Sequence, residues 1–67
     1  MKEYHKVVTR FTGRRNSIVY AGVVYADERP KSTCLEKRGA DIYEDFFDTK
    51  GEAELFVRTQ KYEMSKN

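Results

Sequence analysis

Residues 18–26 read Ile18-Val19-Tyr20-Ala21-Gly22-Val23-Val24-Tyr25-Ala26, the longest apolar run in the chain. Residues of this β-branched and aromatic kind favour an extended strand. Side chains of a strand alternate between two faces, and here both alternating sets are apolar. Such a strand is either central in a sheet and covered on both sides, or covered by the fold on one side and by a partner on the other. Gly22, in the middle, marks a bulge or a close approach by another backbone. Nine residues cannot cross a bilayer as a helix, which takes about 20.

Working outward, the stretch Tyr4 to Phe11 carries Val7, Val8, Thr9 and Phe11 and reads as a second strand. Between the two lie Thr12, Gly13, Arg14, Arg15, Asn16 and Ser17. Gly and Asn tolerate a positive φ, so this segment reads as a hairpin connection with a basic tip. On the other side, Asp27 to Ser32 holds Pro30 and four charged residues and reads as a solvated loop. Thr33 to Ala40 is ambiguous. Thr33 and Glu36 have the spacing of a capping box opening a short helix, and Gly39 limits its length. Asp41 to Phe47 also has two readings. The pairs Ile42/Phe46 and Tyr43/Phe47 suit a helix, while the aromatic content and the abrupt stop suit a third strand. Strand is favoured, because the next segment starts a helix of its own.

That start is the clearest local signal. Thr49, Lys50, Gly51 and Glu52 form a capping box, in which the threonine hydroxyl accepts from the fourth residue's N–H and Glu52 reaches back to the cap. Glu52 and Glu54 suit the positive end of the helix dipole, and Lys61 and Lys66 the negative end. Ala53, Phe56, Val57, Gln60 and Met64 recur at helical spacing, and Leu55 and Tyr62 widen the stripe. The expectation is an amphipathic helix of about four turns, with Met64 to Asn67 a frayed tail. The whole chain, 1–67, then reads as a single small α+β domain: a small antiparallel sheet of about three strands with a C-terminal amphipathic helix packed on one face.

Composition bounds the function. The chain has 67 residues, 13 Lys+Arg and 11 Asp+Glu for a net charge of +2, with 39% hydrophobic residues and nine aromatics, five Tyr and four Phe. The aromatics argue against disorder, and the size argues for a core-poor domain of marginal stability. Cys34 is the only cysteine and His5 the only histidine, so neither an internal disulfide nor a four-ligand zinc site is available. No cofactor or metal is expected. The remaining means of stabilising so small a domain is a partner or a second copy, and a homodimer or higher homo-oligomer is expected. A lone thiol fits a reducing compartment, and no apolar leader follows Met1. Both point to a cytoplasmic protein with no membrane segment.

Charge is unevenly divided. Residues 1–38 hold nine basic and four acidic residues, net +5, and residues 39–67 hold four basic and seven acidic, net −3. The expectation is a charge dipole, provided the fold keeps the halves apart. In the basic half, Lys6, Arg10, Arg14 and Arg15, with Tyr4, Phe11 and Tyr20 beside them, form a candidate anion-binding hairpin: arginines clamp phosphates and aromatics stack on bases. Against this, the pI near 8.8 is below the range usual for nucleic-acid domains. In the acidic half, Asp41, Glu44, Asp45 and Asp48 form a candidate acidic patch, a solvated edge or a surface for a basic partner. Alternation of side chains and the lack of EF-hand spacing argue against a cation site. His5 has no Asp, Ser or Cys near it in sequence. Cys34 has no flanking motif, and Ser17, Ser32 and Ser65 lack nucleophile-elbow glycines. The expectation is that the chain is not an enzyme.

The stretch Phe47-Asp48-Thr49-Lys50-Gly51-Glu52-Ala53-Glu54-Leu55-Phe56-Val57 resembles the closing strand-to-helix step of the small ββαβα hybrid-binding modules found beside ribonuclease H, which often read Phe-x-Thr-x-x-Glu-Ala-x-x-Phe. Gly13, Arg14 and Arg15 are similar to their basic turn. The resemblance covers about a quarter of the chain. Trp is absent, and Asp41, Glu44 and Asp45 stand where those modules tend to be basic. The resemblance implies a strand followed by a helix at the C-terminus and adds to the nucleic-acid alternative.

One helix cannot cover both faces of residues 18–26, so Tyr20, Val24 and Tyr25 are the candidate protein interface. The leading expectation is a non-catalytic protein-binding module, a small regulator, inhibitor or adaptor of a larger protein. Free-standing chains of this size are frequent among phage accessory proteins, a prior that rests on size alone. The alternative is a nucleic-acid-binding module using the basic hairpin.

Overall fold

Four antiparallel strands and one helix make up the protein in a computed structural model that describes residues 1–65. The elements are β1 (Lys2–Phe11), β2 (Asn16–Ala26), β3 (Thr33–Lys37), β4 (Ala40–Phe47) and α1 (Lys50–Ser65). The sheet order is β2-β1-β4-β3, so two hairpins meet along β1 and β4. The architecture is α+β, with the helix at the C-terminus as the sequence implies. The strands number four where about three were expected. The element order ββββα also lacks the middle helix of the ribonuclease H-associated modules.

The additional strand is β3. Thr33 and Glu36 do not cap a helix there: Thr33 pairs with Glu44, and its hydroxyl donates to the Glu44 carboxylate at 3.2 Å. Lys37 and Ala40 pair across a two-residue turn, in which Arg38 has φ 52° and Gly39 φ 78°. Two successive positive φ angles are the signature of a type I′ turn, whose twist matches that of the flanking strands. Asp41 to Phe47 lies within β4 as favoured.

The β1–β2 connection is a hairpin, but its tip is held by Thr12. The Thr12 hydroxyl accepts from the Arg15 and Arg14 N–H groups at 2.8 and 3.3 Å and donates to the Arg15 carbonyl at 2.7 Å. Neither Gly13 nor Asn16 has a positive φ.

Gly22 marks a bulge. Lys6 pairs with Gly22 and Val7 with Tyr20, so Ala21 is the extra residue, and Gly22 has φ 111°. A bulge shifts the alternation by one. Ile18 and Tyr20 therefore share a face with Val23 and Tyr25, which explains why the run in the sequence does not alternate.

The helix begins at the expected cap. The Glu52 N–H donates to the Thr49 hydroxyl at 3.1 Å, and that hydroxyl donates to the Glu52 carboxylate at 3.0 Å. Ala53, fully buried, meets Val7 and Ile18 in the core, with Tyr20, Phe47, Phe56, Val57 and Met64 packed around them. Full burial of a side chain such as Val7 or Ile18 contributes about 1.5–3 kcal/mol. The buried stripe is narrower than expected, because Leu55 and Tyr62 are both exposed. Met64 and Ser65 belong to the helix rather than to a frayed tail, and the Ser65 hydroxyl donates to the Tyr62 carbonyl at 2.9 Å. Lys66, expected at the negative end of the dipole, lies outside the described residues. The helix packs on β2, β1 and β4 and does not reach β3.

Candidate functional site

Strand register assigns every side chain to a face, because directly paired residues project to the same side. The helix side of the sheet carries His5, Val7, Thr9 and Phe11 from β1, with Ile18, Tyr20, Val23 and Tyr25 from β2. The opposite side carries Tyr4, Lys6, Val8 and Arg10, with Val24 and Val19 beside them, and Ile42 and Leu35 further across. Among the described residues no helix lies over that opposite side. Val19 and Leu35 are 55% and 59% exposed there, Val8, Val24 and Ile42 are half-buried, and Tyr4 is buried.

This arrangement separates the three candidate interface residues. Tyr20 is on the helix side, packed against the core. Val24 is on the opposite face, paired with Tyr4. Tyr25 is back on the helix side and 63% exposed.

Tyr20 belongs to a cluster that the sequence does not announce. Its phenol meets His5 Nδ1 at 2.8 Å, while His5 Nε2 lies 3.3 Å from the Glu3 carboxylate. A carboxylate only accepts, so with the ring neutral Nε2 carries the proton and Nδ1 accepts the tyrosine O–H. The Lys50 ammonium lies 5.6 Å from the centre of the Tyr20 ring. Glu3 stands two residues from His5 on one strand, and that spacing is the one signal in the sequence that could have found half of this cluster. Tyr20 and Lys50 join through register and helix placement. Both nitrogens of the buried His5 are engaged, which leaves neither for an incoming substrate.

The acidic residues do not form one patch. Glu44 lies on the open face, 2.9 Å from the Lys6 ammonium. Hydrogen bonding from Lys6 holds its carboxyl below the ordinary carboxylate range, against a smaller opposing effect of desolvation. Asp41 and Asp45 project to the helix side, where Asp45 accepts from the Ser32 hydroxyl at 2.7 Å. Asp48, beyond β4, lies 3.8 Å from Arg29. Among the described residues no three His, Cys, Asp or Glu side chains gather in a way that could hold a metal ion.

The basic hairpin divides as well. Arg14 and Arg15 are exposed at the tip, Arg10 is exposed on the open face, and Lys6 is engaged by Glu44. Cys34 is exposed on β3 and pairs with Tyr43, whose phenol is pushed up mainly by a hydrogen bond with the thiol. Phe11 and Tyr43 meet edge to face, with ring centres 5.6 Å apart. No helix among the described residues is long and apolar enough to cross a membrane. The chain matches no known family, no curated protein and no solved structure.

Proposed function

We propose that this chain is a non-catalytic protein-binding module, a small regulator, inhibitor or adaptor of a larger protein. The observation that carries this reading is the sheet face opposite α1, where Val19 and Leu35 stand exposed beside the half-buried Val8, Val24 and Ile42 with no helix or strand of the described residues over them. Apolar side chains grouped on one uncovered face mark interaction sites. The Lys6–Glu44 pair in the midst of this face supplies a fixed polar feature against which a partner would be oriented. The engagement of both His5 nitrogens supports a role without catalysis.

A nucleic-acid reading is favoured by one observation: Arg10, Arg14 and Arg15 form no ion pair with any described residue, and all three are exposed. The test is recovery of partners on the tagged chain with and without nuclease, followed by rate measurements. A protein partner that survives nuclease and dissociates faster from Val19→Lys supports the first reading. Neutralising Arg14 and Arg15 together should then only slow its association, since rim charges steer encounter. Recovery of nucleic acid overturns it, provided that binding is steeply salt-dependent and that Val19→Lys has no effect. The salt slope should then fall by about one for each phosphate that the neutralised arginines no longer pair with.

A further inference from the structure

The two edges of the sheet differ. β2 carries the Gly22 bulge and has α1 packed along it. Bulges and covering elements are the usual devices that prevent an edge from recruiting another strand. β3, the other edge, has no bulge in its pairing with β4, no proline and, among the described residues, no helix against it, and all five of its residues are exposed. Its outer backbone groups are available for a further strand.

We propose that β3 pairs antiparallel with β3 of a second copy, about a two-fold axis through Leu35, to join two four-stranded sheets into one of eight strands. This goes beyond the open-face binding reading: it names a second surface, the β3 edge, and its partner, a second copy of this chain. The choice of register follows from charge. A two-fold axis perpendicular to the sheet keeps each side chain on its own face, so one residue must sit on the axis. With Glu36 on the axis, two carboxylates are directly opposed and Leu35 meets a lysine. With Cys34 on the axis, Lys31 and Lys37 are opposed. With Leu35 on the axis, Leu35 meets Leu35, Cys34 meets Glu36, and Thr33 meets Lys37 of the second copy. No like charges are then directly opposite, although the two Glu36 side chains are diagonal neighbours. Like charges directly opposite destabilise a strand pair, and apolar pairs support it.

This register also completes rows already present. On the open face Ile42 pairs with Leu35, so the dimer carries an unbroken apolar row of Ile42, Leu35 and their two symmetry mates. One row along, Lys37 of the second copy approaches Thr33, whose hydroxyl is already bonded to Glu44. Five-residue pairing buries less than the 1,200 Å² or so at the low end of stable interfaces, so the dimer belongs to the weak, exchanging class.

The lone exposed cysteine supplies the direct test. In this register the two Cys34 residues are diagonal neighbours on the same face, about 7–8 Å apart between backbones. The wild-type chain, spin-labelled at Cys34, is expected to show strong spin–spin broadening that rises with concentration in step with dimer mass in sedimentation. Leu35→Lys places two lysines on the axis and should weaken association about tenfold or more, whereas Val19→Lys on the open face should leave it unchanged. Leu35 is exposed, and a circular dichroism spectrum confirms that its variant is folded. A monomer at every accessible concentration overturns the proposal. A dimer with no broadening at Cys34, or one weakened equally by Val19→Lys, overturns it in favour of stacking through the open face. A hetero-partner released by Val19→Lys, in a variant whose self-association is unchanged, upholds the broader binding reading independently of this one.

Discussion

Arg38 holds a backbone conformation that an L side chain rarely adopts, φ 52°, so that the β3–β4 turn can close in two residues. The left-handed region costs roughly 1–2 kcal/mol for most residues, and Asn or Gly relieves it. Arg38→Asn should therefore raise the urea midpoint, by about 0.5–1 kcal/mol in stability, because part of that cost is recovered. Gly39→Ala, at φ 78°, should lower it. A midpoint unmoved by either change would mean that the turn is not of this type. Thr49 is the opposite case, legible from the sequence and doing what its spacing implies. Thr49→Ala removes the hydroxyl bonded to the Glu52 N–H and should cost about 0.5–2 kcal/mol. Arg38 was not legible, because Arg-Gly is not among the pairs that announce a type I′ turn, whereas Asn-Gly and Asp-Gly are.

At the scale of elements, local signals were readable in proportion to how much of their stabilisation is local. The α1 cap and its stripe of Ala53, Phe56, Val57, Gln60 and Met64 are set by neighbours within the helix. β3 has five residues, none buried, and a capping-box spacing that mimics a helix start. Only its pairing with β4 makes it a strand, and that pairing depends on the turn at Arg38. The β2 run was legible as a strand and as bulged, but the consequence, that Tyr20 and Val24 part to opposite faces, required the register. Ala53 is the buried residue of α1, has no exposed surface and belongs to the core cluster with Val7 and Ile18. A larger side chain there must push the helix off the sheet. Ala53→Leu should destabilise by about 1–3 kcal/mol despite added apolar area, as overpacked cores do. Thermal or urea unfolding checks it, and a more stable variant would mean that the interface has room to spare.

For the whole molecule, the sequence suggests a basic half and an acidic half, but the sheet interleaves them. Acidic β4 lies between β1 and β3, both from the basic half, so the charges meet as Lys6–Glu44 within the sheet and as Arg29–Asp48 beside it. The expected charge dipole depended on the halves staying apart, and strand order is a long-range property that composition does not encode. The same order splits the candidate acidic patch, since alternate β4 residues face opposite sides. One consequence is acid sensitivity. The Glu44 carboxyl is held below its ordinary value, chiefly by the hydrogen bond from Lys6. A carboxyl depressed in the folded state stabilises the fold above its unfolded pKa, and that contribution is lost as pH falls through the folded value. Glu44→Gln should thus be less stable than the wild type at neutral pH, by at most about 1 kcal/mol for so accessible a pair. The difference should close as both proteins are taken from neutral pH to about pH 3, where the wild-type carboxyl is increasingly protonated. Urea midpoints of the two proteins across that range measure it. Equal midpoints at neutral pH would show that Glu44 contributes through its Thr33 hydrogen bond alone, which the amide retains, and that the Lys6 pairing across the β1–β4 seam adds nothing to stability.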